Sequence, residues 1–531
     1  MVVPCYPTSV TIRVQAPDPE ATLTQGRAFY DHHNGVTCIS SSGIRIGKFV
    51  FTCASLITSC LEVESTTHKA RLSDQCRVEF LSTQSNPQEW QPLSFVTLAE
   101  LKHIRSSLSK LTQNNASLWE FGWGGVLPRC SLSGLQEFSM NNIGICSLAL
   151  FSSNSVDDYG EAMTANVGKQ EIGQELTILA SPFGLSCPRV LADTEWRGVL
   201  ANKVDFEGEH GLFLTDVRTF PGMEGGAVYL EEDGSFAGML MLPLRRKNSD
   251  PVDLSLIIPA QSLFSALEPY IRPYVKQSSE KKDLKLPRIL QEAASAVVRI
   301  EVADTWGSGL LVSSHGYILT NAHVVSPILE EEKACFWPKR KKHRLFRIGV
   351  CDYGRTTWYH DIELVFVSRS QWDVAILHVP ELSGRYHLEL PLRSPLPKKG
   401  DSVFAIGHGL FGPATGMSPT ITRGILANVV KHQGDPVLLV TNCKVHRGCS
   451  GGPLLDEKGR IVGLITSNAR TSGGATIIEI NFAIPAGVLG AVRDFLEHKD
   501  SKPLEDLATV NRELMDIWLL RPEPKDIPAK L

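Results

Sequence analysis

The chain lacks any long apolar run: nowhere in its 531 residues do about 18 consecutive apolar residues occur, so no membrane-spanning helix and no membrane partner is expected. It also lacks a charge bias. Lys and Arg total 53 against 57 Asp and Glu, a net charge of -4, which argues against nucleic acid as a main partner. Its 12 cysteines are scattered, with none of the C-x-x-C spacings that hold zinc, so no metal site is expected. Cys53, Cys146 and Cys351 sit in apolar stretches and read as small buried hydrophobes. The opening residues MVVPCYPTSVTIRV have no basic segment followed by an apolar one, so secretion is not expected and the thiols are expected to be reduced. Helical periodicity is scarce until the end of the chain.

What is present is a set of three segments in a meaningful order. They are Thr320-Asn321-Ala322-His323-Val324-Val325, Trp372-Asp373-Val374-Ala375-Ile376-Leu377 and Gly448-Cys449-Ser450-Gly451-Gly452-Pro453. A serine hydroxyl is a poor nucleophile until an imidazole takes its proton, and the imidazole needs a carboxylate on its other nitrogen to fix the tautomer. Ser450, His323 and Asp373 fill those roles. Glycines around Ser450 let the backbone N–H groups of the Gly448-Cys449-Ser450 turn, Gly448 and Ser450 foremost, converge on a developing oxyanion. Cys449 is a rival nucleophile by chemistry, but the residue followed directly by Gly-Gly-Pro is Ser450. The reaction these groups carry out is acyl transfer without a metal or cofactor.

These segments resemble the HtrA or Deg-type branch of the trypsin-like proteases, over roughly Ala293 to Glu497. That resemblance implies an all-β fold, a pair of six-stranded barrels with the site in the cleft between them. Members often carry a PDZ domain after the protease; only some thirty residues follow here, too few for one. The strand near Ile465, Thr466 and Ser467 should pair with substrate backbone and help line the pocket before the cleaved bond. Lys444 stands near the place of trypsin's acidic selector, so a preference for Arg or Lys is not expected.

The length suggests more than one domain, since single cores rarely exceed about 250 to 300 residues, and an internal repeat supplies the second. Arg197-Gly198-Val199-Leu200-Ala201-Asn202 matches Arg423-Gly424-Ile425-Leu426-Ala427-Asn428, and Gly222-Met223-Glu224-Gly225-Gly226 matches Gly448 to Gly452, each 226 positions later. The first copy is degenerate: Ser55 is matched to His323, Gly144 to Asp373 and Glu224 to Ser450. The organisation read from this is a degenerate trypsin-like domain over 1–272, with a polar surface-loop insertion near 62–131, a linker over 273–289, an active domain over 290–499, and a helix with a tail over 500–531. In the last segment Leu507, Val510, Leu514, Ile517 and Trp518 recur at helical spacing and predict one amphipathic helix docked on the second barrel. The basic run Lys339 to Arg344 reads as a solvated loop.

The final residues Ala529-Lys530-Leu531 resemble the Ser-Lys-Leu peroxisomal address, after an extended Pro-rich stretch. A decayed first copy, an intact second copy and this tail together resemble a family of peroxisomal processing proteases. That resemblance implies the peroxisomal matrix, an import receptor at the tail, and substrates that are imported matrix enzymes, among them β-oxidation enzymes, from which leader peptides are removed. Self-association and self-cleavage in the linker remain open, as do two other readings: a non-cleaving chaperone or scaffold with this fold, and a cytosolic quality-control protease.

Overall fold

The computed structural model describes residues 8–24, 29–63, 70–82, 89–112, 119–121, 144–153, 163–166, 170–206, 209–246, 255–278, 285–303, 305–329, 346–352, 355–390, 397–409, 417–470 and 476–520. The chain divides into two compact units, Met1–Pro287 with Phe411–Met417, and Arg288–Leu410 with Ser418–Leu531. The tail 521–531, including Ala529, Lys530 and Leu531, lies outside the described residues, as does the basic run 339–344.

The large sheets and barrels of each unit are antiparallel. In the first, strands Thr8–Pro17, Arg77–Leu81, Gln91–Glu100, Ser147–Ser153, Phe49–Cys53 and Val36–Ile46 pair in that order, and pairing of the last with the first closes them into a ring. A second, closed barrel follows from Glu175–Ala180, Thr194–Phe206, Glu209–Thr215, Ser255–Pro259, Phe236–Leu240 and Ala227–Leu230. Alternation places Leu176, Ile178 and Ala180 inward, where they meet Phe213, Val228 and Ile257.

The second unit repeats the plan. A seven-stranded sheet runs Arg355–Tyr359, Phe346–Asp352, Val297–Val302, Thr305–Leu311, Tyr317–Thr320, Ala375–His378, Glu363–Val367. A closed barrel is made by Ser402–Gly407, Thr420–His432, Asp435–Thr441, Thr476–Pro485, Ile461–Arg470 and Pro453–Leu455. The run Val297–Val302 is buried at every position. Its charged residues pair with each other: Arg299 Nε lies 3.0 Å from Glu301 Oε1, and Arg347 Nε 2.7 Å from Glu301 Oε2.

Three sequence expectations change here. The stretch 62–131, read as a surface loop, contains Arg77–Leu81 and Gln91–Glu100, both members of the first ring, and the helix Lys102–Thr112, whose Ile104, Leu108 and Leu111 are buried. Gln91–Glu100 escaped recognition because it is half-exposed along most of its length, so selection for apolar residues is weak. The linker is also partly regular: Val275–Ser278 pairs in parallel with Met163–Asn166, and Lys285–Ser295 is helical. Finally, the predicted single C-terminal helix is two, Lys502–Ala508 and Arg512–Trp518. Asn511 separates them, its side chain capping the second by accepting from the N–H groups of Glu513 and Leu514, and Val510 is exposed.

These helices pack where the site needs support. The hydroxyls of Ser368 and Ser370 both donate to the Leu507 carbonyl at 2.6 Å, Asn511 N–H donates to Gln371 Oε1 at 2.9 Å, and Trp518 meets Trp372 edge-on at 6.2 Å. The loop that leads into Asp373 is thereby fastened from behind.

Glycine placement gives a direct test of the strained turn in the second barrel. Gly451 has φ +88°, and an added Cβ would come 2.1 Å from the Ser308 carbonyl oxygen; Gly434 has φ +94° with nothing within 4 Å. Gly434→Ala is expected to cost only the conformational penalty, about 1 kcal/mol, whereas Gly451→Ala adds a backbone clash and lowers the unfolding temperature further. Thermal unfolding of the two variants checks this, and equal shifts would contradict it.

Candidate active site

One strand pairing brings His323 and Asp373 together. Tyr317–Thr320 lies antiparallel to Ala375–His378 with Thr320 opposite Ala375. His323 sits in the short helix Ala322–Val325 that follows the first of these strands, and Asp373 in the loop that precedes the second. Asn321 pins the loop further, its Nδ2 donating to the Asp373 carbonyl at 2.7 Å.

The carboxylate is held on both oxygens. Asp373 Oδ1 accepts the backbone N–H of His323 at 2.9 Å, and Oδ2 lies 2.5 Å from His323 Nδ1 while also accepting the Thr466 hydroxyl at 2.7 Å. Burial pushes the Asp373 carboxyl up, but the hydrogen bond and charge of His323, the Thr466 hydroxyl and the His323 N–H outweigh it and hold it below the usual aspartate value. With Nδ1 turned to the carboxylate, Nε2 is the ring nitrogen left for proton transfer.

Thr466 also reaches the third residue. Ser450 Oγ donates to the Thr466 carbonyl at 2.8 Å, rather than to His323. Thr466 owes this position to a register shift between Ile465 and Ser467, a bulge that re-aims its side chain. It was expected as a pocket residue; the structure shows its contacts with Asp373 and Ser450. For the Ser450 hydroxyl to meet His323 it must leave the Thr466 carbonyl, a rearrangement common where catalytic hydrogen bonds tighten only with substrate bound.

The turn around Ser450 is held by Ser308. The Ser308 hydroxyl donates to the Gly448 carbonyl at 2.6 Å and accepts His408 N–H at 2.8 Å, while Ser308 N–H donates to the Ser450 carbonyl at 2.8 Å. Gly448, at φ +95°, has no room for a Cβ, which would lie 2.3 Å from Trp306 Nε1. Among the described residues neither Gly448 N–H nor Ser450 N–H donates to another group, so both are available to an oxyanion. Cys449 differs from expectation. Its N–H is already used by the His446 carbonyl at 3.0 Å, because this bond closes the turn, so Cys449 is not an oxyanion donor. Its side chain is buried, which pushes the thiol up to about 11 and leaves it protonated at neutral pH.

Sequence reasoning missed Ser308, Asn321 and Asn481. The first two stand inside Gly307-Ser308-Gly309 and the His323 segment, where small polar residues beside a motif were a usable signal. Asn481 is fully buried and its Nδ2 donates to the Cys443 carbonyl at 2.6 Å, tying the strand Thr476–Pro485 to the segment before Lys444. Lys444 is half-buried and its carbonyl accepts the Thr422 hydroxyl at 3.0 Å. Ile465 is buried in the barrel core, and Ser467 falls in the strand Ile461–Arg470.

In the first unit the same elements carry different residues. Ser55 follows the strand Phe49–Cys53 as His323 follows Tyr317–Thr320. The cross-strand ladder corrects one correspondence. Ala149 stands opposite Thr52 as Ala375 stands opposite Thr320, which puts Ser147, not Gly144, at the register of Asp373. This agrees with the offset of 226 between the copies; residues 144–146 have helical backbone, and Gly144 itself lies against Ser55, where an added Cβ would come 3.3 Å from the Ser55 Cα. Neither Ser147 nor Gly144 offers a carboxylate.

The Asp373 geometry carries a sign for pH. Because its folded pKa lies below the unfolded value near 3.8, its ionisation stabilises the fold fully above that pH, and the contribution is lost as pH falls through the folded value. Asp373→Asn is expected to remove that part of the acid-induced loss of stability and to lower turnover by about 10⁴-fold. Acid unfolding followed by circular dichroism, beside peptide hydrolysis at neutral pH, checks both.

Residues 307–464 match the family model of the trypsin-like peptidase domain. The chain is 30% identical over 383 residues to the peroxisomal leader peptide-processing protease of Homo sapiens, covering 69% of this chain and 63% of that protein. It is 30% identical over 385 residues to the protein of the same name from Mus musculus, covering 68% and 63%. It is 27% identical over 250 residues to the serine protease HTRA1 of Xenopus laevis, covering 44% and 47%. The match thus spans a little under two thirds of the length of the two mammalian relatives, 63% of each. The chain is thus similar over residues 307–464 to the trypsin-like peptidase domain, and over about two thirds of its length to the peroxisomal leader peptide-processing proteases.

Proposed function

We propose that the chain is a serine endopeptidase in which Ser450 is the nucleophile, His323 the general base and acid, and Asp373 the orienting carboxylate. The observation that carries this reading is that Thr466 joins the His323–Asp373 pair to Ser450, its hydroxyl donating to Asp373 and its carbonyl accepting from Ser450, beside two backbone N–H groups that meet no other acceptor among the described residues. His323 Nε2 takes the Ser450 proton as the oxygen attacks the peptide carbonyl. The N–H groups of Gly448 and Ser450 hold the oxyanion, each worth about 3 kcal/mol. His323 then protonates the leaving amine, and water, activated by the same imidazole, releases the acyl group.

The likeness to proteins named peroxisomal leader peptide-processing protease, together with Ala529-Lys530-Leu531, supports a peroxisomal matrix enzyme that trims N-terminal leaders from imported proteins and processes β-oxidation enzymes. Under this reading its partners are those substrates and an import receptor that reads the tail. The organisation that goes with this reading is a degenerate unit over 1–272, a linker over 273–289, an active unit over 290–499, and a helical and targeting segment over 500–531. His323, with its side chain 49% exposed, faces solvent in the absence of substrate, as an open cleft requires.

A fluorophosphonate probe is expected to label Ser450, and Ser450→Ala is expected to lose labelling and to cut a leader-bearing substrate more than about 10⁴-fold more slowly. Unchanged cleavage by Ser450→Ala would refute the mechanism, and binding without cleavage by the parent would favour a scaffold. Deletion of Leu531 is expected to leave the protein in the cytosol; unchanged peroxisomal import would remove the tail as the address.

A further inference from the structure

The first unit has lost the residues of the triad but has kept the turn that surrounds the nucleophile, almost bond for bond. In the second unit Cys449 N–H donates to His446, Gly452 N–H to Cys449 and Gly451 N–H to Ile465, at 3.0, 2.9 and 2.8 Å. In the first, Met223 N–H donates to Phe220, Gly226 N–H to Met223 and Gly225 N–H to Leu240, at 3.0, 3.0 and 2.8 Å. The left-handed glycines repeat as well: Gly222 and Gly225 at φ +94° and +87°, Gly448 and Gly451 at +95° and +88°. So does the external anchor. The Ser42 hydroxyl donates to the Gly222 carbonyl at 2.7 Å and accepts Ser181 N–H at 2.8 Å, the roles Ser308 plays toward Gly448 and His408. One anchor differs: Ser42 N–H also donates to the Gly222 carbonyl, where Ser308 N–H goes to Ser450.

The two turns part at the donor that would face an oxyanion. Gly448 N–H donates to no group among the described residues, whereas Gly222 N–H donates to Glu224 Oε2 at 2.9 Å. A carboxylate is the ligand such a turn is shaped to hold, an oxygen anion facing backbone N–H, and the charge strengthens the bond.

We propose that the first unit retains a formed anion-binding hole and that the side chain of Glu224 is its built-in carboxylate ligand. The residue in the nucleophile's place thus closes the hole to any substrate carbonyl, and it also stabilises a turn that needs two left-handed glycines. The first unit is then not a second cleft that presents substrate; its oxyanion position is filled from within. The same carboxylate adds to burial in pushing the Cys53 thiol up to about 12, as an ionised group in this recess would. This inference concerns the first unit alone and stands whether or not the second unit cleaves peptides.

The test uses the full-length chain with Ser450→Ala in every sample, so that peptidase activity cannot enter. Acetate is the probe, with chloride at matched ionic strength as the control. Glu224→Ala is expected to lower the unfolding temperature in chloride and to recover much of it in acetate. Isothermal titration is expected to give acetate binding at least about tenfold tighter in Glu224→Ala than in the parent, whose hole is filled. Glu224→Ser, which installs the residue the second unit carries in this turn, serves if the alanine variant does not fold. Glu224→Gln keeps an oxygen acceptor in place and is expected to bind acetate no better than the parent. Equal response of parent, Glu224→Ala and Glu224→Ser to acetate, or no response in any of them, would overturn the proposal.

Discussion

The constraint on which the active unit depends is the close contact between a glycine turn and a strand of the neighbouring sheet. Gly451 approaches the Ser308 carbonyl so nearly that a Cβ would lie 2.1 Å from it, and Gly448 packs as tightly on Trp306 and His408. Only glycine tolerates both the left-handed backbone and the missing space. The hydroxyl and N–H of Ser308 then fix the Gly448 and Ser450 carbonyls, which orients the peptide groups on either side and leaves two N–H groups pointing outward. The oxyanion hole proposed here would be a by-product of how one sheet grips one turn.

A second dependence runs through Asp373. The carboxylate is half-buried against its ordinary preference for water, and three donors converging on it favour its ionised form. Those donors come from the two sheets of the unit, His323 from one and Thr466 from the other. The loop bearing Asp373 is held from behind by Leu507, Thr509 and Asn511, so the C-terminal helices belong to the architecture of the site although they touch no reacting atom.

Comparison of the units shows which parts of such a site are structural and which are chemical. The turn, its glycines and its serine anchor are repeated because packing demands them, and losing any of them would cost backbone strain or an unsatisfied carbonyl. The imidazole, carboxylate and hydroxyl are absent from the first unit without disturbance of the fold. Side chains that face a cleft are free to change; glycines wedged between sheets are not.

Much of this was legible in the residues. The order of the His323, Asp373 and Ser450 segments, the paired glycine turns 226 positions apart and the short apolar strands are local patterns, and local patterns survive in a one-dimensional chain. The strand Gln91–Glu100 was not legible, because a half-exposed strand carries no strong alternation. Nor was the break at Asn511, where a capping side chain interrupts a continuous apolar spacing. The match of Gly144 to Asp373 was three residues off: the cross-strand partners place Ser147 there, in agreement with the offset of 226 that the glycine turns also show.

By itself, then, the sequence determined the chemical groups and their order, since the hydroxyl, imidazole and carboxylate proposed for the triad are named by residue type and motif. Tertiary structure alone decided how they are joined. Thr466 bridges Asp373 and Ser450 through a bulge, Ser308 grips the turn from another sheet, and the N–H of Cys449 is consumed inside the turn while Glu224 fills the corresponding hole in the first unit. Most of these contacts join residues far apart in the chain, and even the short-range ones depend on a backbone bent by long-range packing. Hydrogen bonds a few ångströms long leave no spacing rule in the sequence when the fold supplies the proximity.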